Sequence, residues 1–149
     1  MYQKILVPVD GSEASARGLA EAMKLAREQG ATIRLIHVVN ELMVVASYEG
    51  TIYSGELINA LRESGKKLLD QAQQRVTAAG IKVEAELLEA HGGQAGQVIV
   101  KDAEQCHADI IVLGTHGRRG LSRLVMGSDA EQVVRQARVP VLLVRNLTE

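Results

Sequence analysis

The stretch Asp109-Ile110-Ile111-Val112-Leu113-Gly114-Thr115-His116-Gly117-Arg118-Arg119-Gly120-Leu121-Ser122-Arg123-Leu124-Val125-Met126-Gly127-Ser128 passes from an apolar run, through a glycine-rich loop, to the start of an amphipathic segment. A short β-branched run that ends in glycine reads as a buried strand. From Ser128 onward, Ala130, Val133, Val134 and Ala137 recur at helical spacing. Strand, loop and helix make half of a β-α-β unit, and the rest of the chain repeats that unit.

Upstream, Ile5-Leu6-Val7-Pro8-Val9 predicts a first strand. Ser12 to about Glu28 predicts a helix with Ala16, Leu19, Ala20, Met23 and Ala26 on one face. Ala31 to Val39 predicts a second strand. Residues 55–79 return to helical spacing through Leu57, Leu61, Leu68, Leu69, Ala72 and Val76, and Gly80 stops them. Residues 81–87 alternate as a half-exposed strand does. Residues 94–107 predict a helix with Ala95, Val98, Ile99, Ala103 and Cys106 inward, and Val139 to Arg145 closes the chain as a fifth strand. The long connection from Asn40 to about Ser54 carries Leu42, Met43, Val44, Val45, Ile52 and Tyr53, too apolar for a simple solvated loop. Loops of that length are usually functional or disordered, and this one is expected to cover the crevice or pack in an oligomer interface, with a short helix on its own domain as the alternative.

Alternation of this kind gives an α/β fold: a five-stranded parallel sheet with helices on both faces, joined by right-handed crossovers. Lys82, Glu84 and Glu86 share one face of the strand 81–87, which places that strand at an edge. The apolar runs 5–9, 33–39 and 110–113 belong in the middle. The resulting order is 3-2-1-4-5, with the switch point between the first and fourth strands. Ligand crevices in such sheets lie at the carboxyl ends of the strands beside the switch point, here the loops after Val9 and after Leu113.

Composition narrows the function classes. The 149 residues suit one domain, 1–149, and 46% of them are apolar. Seventeen basic residues against eighteen acidic ones disfavour a general nucleic-acid binder. The charge is uneven, with six Arg and two acids in residues 114–145, which points to a local anion site. Three Tyr with no Trp or Phe give no stacking platform, and a single Cys excludes a disulfide framework. The chain has no apolar run of membrane-spanning length and no signal-peptide pattern, so a soluble cytoplasmic protein is expected.

The glycines at 114, 117 and 127 let backbone N–H groups approach a ligand closely. Gly127-Ser128 begins a helix, where free N–H groups and the helix dipole favour an anion. Arg118, Arg119 and Arg123 add positive charge nearby. The plainer reading is an ordinary loop, with Ser128 as N-cap and Glu131 completing a capping box. Asp10, at the end of the first strand, either faces the crevice, where it would meet a ribose hydroxyl or a metal, or forms a turn before a Ser12 N-cap. His116 reads as a phosphate donor, a general acid/base or a loop hydrogen-bonder, and His37 as structural. The chain has no GxxxxGK[ST], no GxGxxG, no recognisable metal-ligand spacing and no assembled Ser–His–acid arrangement.

The span Gly114-x2-Gly117-x9-Gly127-Ser128 fits the G-2x-G-9x-G-[S/T] pattern of the ATP-binding universal stress proteins. Lys4–Ser12 (KILVPVDGS), His37-Val38, Ala108–Gly120 (ADIIVLGTHGRRG) and Val139–Arg145 (VPVLLVR) resemble the same family, over essentially the whole chain. The resemblance implies an adenine nucleotide α-hydrolase-like, Rossmann-like fold and binding of ATP, with Mg²⁺ beside the phosphates. It puts Pro8, Val9 and Asp10 on the adenine and ribose side, with Val38 meeting adenine through its backbone. Gly114, His116, Gly117 and Arg118 would follow the ribose and phosphates, and Gly127 and Ser128 would hold the terminal phosphates. Thr115, Arg119 and Gly120 are included as loop neighbours. It further implies a stress-response regulator acting as a homodimer through residues 140–145, or as a tetramer, with slow ATP hydrolysis at most. Family members that bind no nucleotide lack the glycine pattern, which is intact here.

Overall fold

The computed structural model describes residues 1–40, 55–92, 94–115 and 127–145. Among these residues nine elements follow one another: β1 (Lys4–Pro8), α1 (Glu13–Gln29), β2 (Thr32–Asn40), α2 (Gly55–Ala78), β3 (Val83–Ala90), α3 (Ala95–Gln105), β4 (Ile110–Gly114), α4 (Ser128–Gln136) and β5 (Val141–Val144). All four strand pairings are parallel, and the order is β3-β2-β1-β4-β5. The expected fold class and strand order are those observed. The connection 41–54, the loop 116–126 and the tail 146–149 lie outside the described residues.

The two faces of the sheet carry separate cores. Ile5, Val7, Ile33, Leu35 and Val112 pack under Leu19 and Met23 of α1 and Leu69 and Val76 of α2. Leu6, Ile36, Ile111 and Leu113 pack under Ile99 and Ala103 of α3 and Ala130 and Val133 of α4. Burial of β1 on both faces explains why its sequence is a continuous apolar run rather than an alternating one.

Two helices sit differently from expectation. On α1 the buried stripe runs through Ser15, Gly18, Leu19, Ala22, Met23 and Ala26, while Ala16 is exposed and Ala20 only partly buried. The cause is a backbone-to-backbone approach to the end of β4. A Cβ built on Gly18 would lie 2.8 Å from Gly114 N, and one built on Gly114 would lie 1.8 Å from Ala14 O. Small and polar residues occupy the contact because nothing larger fits. On α4 only Ala130 and Val133 are buried, and Val134, expected inward, is 43% exposed. This helix packs mainly on α3, which leaves it a narrow apolar stripe.

Two of the three charges expected to blunt the β3 edge, Glu84 and Glu86, are engaged within the sheet. Glu84 lies 3.4 Å from Lys4 Nζ of β1, and Glu86 lies 2.6 Å from Arg34 of β2. Arg34 also donates through Nε and Nη2 to both carboxylate oxygens of Asp102 on α3, at 2.7 and 2.6 Å, and Asp102 is buried. The Asp102 bond holds the guanidinium well above its ordinary pKa range. At the same end of the sheet, Asp109 accepts the N–H groups of Gln3 and Lys4 at 2.7 and 2.9 Å, which lowers its carboxyl pKa.

Candidate functional site

A crevice of about 220 Å³ opens at the carboxyl ends of β1, β2 and β4, where the strand order reverses. Pro8, Val9 and Asp10 form one wall, Val38 another, and Leu113 and Gly114 the floor beneath α1. Gly127, Ser128, Asp129 and Ala130 close it from α4, and Ala95 and Ile99 from α3. Of the residues singled out in the sequence, Pro8, Val9, Asp10, Val38, Gly114, Gly127 and Ser128 are thus brought together. His116, Gly117, Arg118, Arg119 and Gly120 lie outside the described residues. Thr115 is 3% exposed and does not line the crevice; its N–H and its hydroxyl both reach Val144 O, at 2.9 and 3.3 Å. That residue ties β4 to β5.

Three helices begin at this crevice, in different states. The N-terminus of α1 is capped by Ser12, whose side chain accepts Ser15 N–H at 3.1 Å. Gln94, the N-cap of α3, makes no side-chain cap bond, and neither does Gly127, the N-cap of α4. Ser128 was a candidate cap, with Glu131 closing a capping box. It is instead the first helical residue, because the opening bond of α4 runs from Glu131 N–H to Gly127 O. Glu131 pairs forward with Arg135 at 2.7 Å. Among the described residues, the first N–H groups of α4, at the crevice wall, have no side-chain cap, the kind of helix end that suits an anion.

Asp10 forms the turn before the Ser12 cap and also stands at the crevice. Its Oδ1 accepts Ser12 N–H at 2.8 Å, and its own N–H donates to the buried Ser15 hydroxyl at 3.1 Å. Gly11 makes the turn possible with φ of +83°, a backbone conformation that side chains disfavour. Asp10 is nonetheless exposed and lines the crevice. Among the described residues, no group of three or more His, Cys, Asp or Glu is placed to hold a metal ion.

Sequence reasoning missed several wall residues. His37, read as structural, stands between this crevice and a second one of about 350 Å³, which shares Asp10, His37 and Val38 and extends to Leu61, Ser64 and Leu68 of α2. Its Nδ1 lies 2.7 Å from Val9 O. Ala95 and Ile99 come from the helix after an edge strand, which looks remote from the switch point. A signal for them existed: the crossover from β3 to β4 must pass over β2 and β1, so α3 has to lie beside the crevice.

Comparison with known proteins gives one consistent result. The profile described as the universal stress protein family matches residues 1–145. The universal stress protein MJ0531 of Methanocaldococcus jannaschii is 37% identical over 148 residues, covering 97% of this chain and 83% of that protein. Among solved structures, MJ0577 of the same organism superposes with a TM-score of 0.83 at 30% identity, covering 100% of this chain and 99% of the other. A universal stress protein from Archaeoglobus fulgidus in complex with dAMP superposes with a TM-score of 0.64 at 26% identity, over 95% and 97% of the two chains.

Proposed function

The chain belongs to the universal stress protein family, and we propose that its crevice binds an adenine nucleotide, ATP with Mg²⁺, as the ligand of a small cytoplasmic regulatory protein. The observation that carries this reading is the N-terminus of α4, uncapped by any side chain among the described residues, lining one crevice with the ends of β1 and β2. Free N–H groups at Gly127-Ser128 suit the phosphates, and the strand ends suit a base and a ribose. The relative solved with dAMP supports an adenine nucleotide over other anions. Asp10 and Asp129, both exposed at the crevice, are the acids available to a cation that travels with the phosphates. Pro8, Val9, Asp10 and Val38 are assigned to base and ribose. His116, Gly117, Arg118, Arg119 and Gly120 are assigned to the phosphate side on the glycine pattern alone. Gly114 and Thr115 support the site from beneath. No dedicated catalytic base is assigned, so hydrolysis is slow at most.

The assembly we propose is a homodimer through β5, with a tetramer as its further multiple. Leu142 is 37% exposed, and among the described residues β5 pairs only with β4, an edge position that suits pairing with a second copy.

Mass spectrometry of the purified, heat-denatured protein should release an adenine nucleotide, and calorimetric titration should show ATP binding to the emptied chain. Gly127 has φ of −59°, which a side chain tolerates, so Gly127→Val should fold. Its branched Cβ crowds the phosphate approach and should weaken ATP binding at least about tenfold. An unchanged affinity in the folded variant would remove α4 from the site.

A further inference from the structure

We propose that His37 is a positioning residue for the base of the nucleotide. By donating its Nδ1–H to the Val9 carbonyl, it ends the β1–β2 ladder one bond early and leaves the main chain of Val38 open to the crevice. The inference rests on the adenine-nucleotide reading for its ligand, but not for its geometry.

In a parallel ladder, alternate residues of a strand turn both N–H and C=O toward the same neighbour. Thr32 N–H donates to Gln3 O at 2.8 Å and Val9 N–H donates to Ile36 O at 2.8 Å, so the even-numbered residues of β2 face β1. Ile33 N–H goes the other way, to Lys82 O at 2.9 Å. By the same alternation Val38 faces β1, and the next rung would join Val38 N–H to Val9 O. That carbonyl lies instead 2.7 Å from His37 Nδ1, and among the described hydrogen bonds no rung joins it to Val38. A carbonyl only accepts, so Nδ1 carries the proton. One residue further on, β1 turns away, with Asp10 N–H on the Ser15 hydroxyl and Gly11 at positive φ.

Val38 lines the cavities on both sides of this point. Its N–H and C=O form a short piece of strand edge with one donor and one acceptor. Adenine carries an amino donor beside ring-nitrogen acceptors, an edge of the complementary kind. The imidazole can reach Val9 O because α2 presents Gly65 to it. A Cβ on Gly65 would lie 2.7 Å from His37 Cδ2.

The experiment is amide hydrogen exchange followed by NMR on the ligand-free chain, then titration with ATP and GTP. In wild type, the Val38 amide should exchange far faster than that of Ile36, which sits inside the paired register. His37→Leu returns the Val9 carbonyl to the ladder. It should slow Val38 exchange, weaken ATP about tenfold, the effect of one hydrogen bond, and reduce the preference for ATP over GTP. His37→Asn places an amide donor near the same carbonyl and should keep the wild-type exchange and preference. A wild-type Val38 amide protected as well as Ile36 overturns the proposal, even if His37→Leu fails to fold. So does unchanged Val38 exchange in a folded His37→Leu. If wild type binds no adenine nucleotide, the functional reading falls, and Val38 exchange still decides what His37 does to the ladder.

Discussion

Gly114→Ala separates two roles that the sequence pattern merges. The first glycine of the G-2x-G-9x-G-[S/T] span reads as a close approach to a ligand, but its neighbour in the structure is α1. An added Cβ would lie 1.8 Å from Ala14 O, 2.3 Å from Ala14 C and 3.0 Å from Ser15 N. These are backbone atoms of a helix pinned by its Ser12 cap and by the buried Leu19 and Met23, so no side chain can swing aside. Reaching even 3.0 Å from the oxygen requires the first turn of α1 to withdraw by about 1.2 Å. Overpacking of well-packed sites costs about 1–3 kcal/mol, and the upper end applies where backbone must move. With a urea slope of roughly 1.5 kcal/mol per molar, a loss of about 3 kcal/mol lowers the midpoint by about 2 M. The measurement belongs in nucleotide-free buffer, so that ligand-linked stability does not enter. Gly80→Ala is the control: φ is +77° and nothing lies within 4 Å of the added carbon, so only backbone strain of about 1 kcal/mol remains. A Gly114→Ala protein that unfolds at the wild-type midpoint refutes the packing role.

Asp102→Ala strips the bidentate partner from a guanidinium only 12% exposed, and should cost about 3 kcal/mol in urea unfolding. A loss no larger than that of an exposed helix position would show that Glu86 suffices for Arg34. Asp109 has a folded pKa below its unfolded value, so its contribution is complete above about pH 4 and is lost as pH falls through the folded value. Glu89, lowered chiefly by its hydrogen bond from Arg62, acts in the same window. Asp109→Asn should therefore flatten, though not abolish, the acid limb of stability below the ordinary carboxylate range, and an unaltered limb counts against the cap on Gln3 and Lys4. For the assembly, sedimentation should give a dimer or its multiple, and Leu142→Lys with Val144→Lys should shift it to monomer. Wild-type chain sedimenting as a monomer at micromolar concentration ends the β5 proposal.

The sheet was legible because its signals are local. Continuous apolar runs mark strands buried on both faces, an alternating run marks an edge, and crossover handedness then allows few orders. What periodicity left open was the phase of the helices. The stripe on α1 passes through Ser15 and Gly18 because β4 comes within backbone distance, and a hydrophobicity pattern scores neither residue as core. Asp102 was hidden for a related reason. A carboxylate in a helix reads as solvent-facing until its partner is known, and that partner, Arg34, sits inside an apolar strand 68 residues away. Half of the candidate site followed from strand ends and helix starts. The wall contributed by α3 did not, since it depends on the path of a crossover rather than on any residue type.

The glycine pattern itself divides along physical lines. Gly114 is required by packing, with or without ligand, whereas Gly127 has an ordinary φ and begins a helix with no side-chain cap among the described residues. Loss of binding in a Gly114 variant would therefore say little about phosphate, because a displaced α1 also displaces Asp10 and Ser15 at the crevice. Gly127 tests the phosphate end without disturbing the sheet, and His37 tests the base end through one carbonyl. If both variants fold and each weakens ATP about tenfold, their effects should multiply, because they act on separate parts of one ligand. A double variant no weaker than either single one would mean that a local change at one end already disables the whole crevice, and the division into base and phosphate ends would fail.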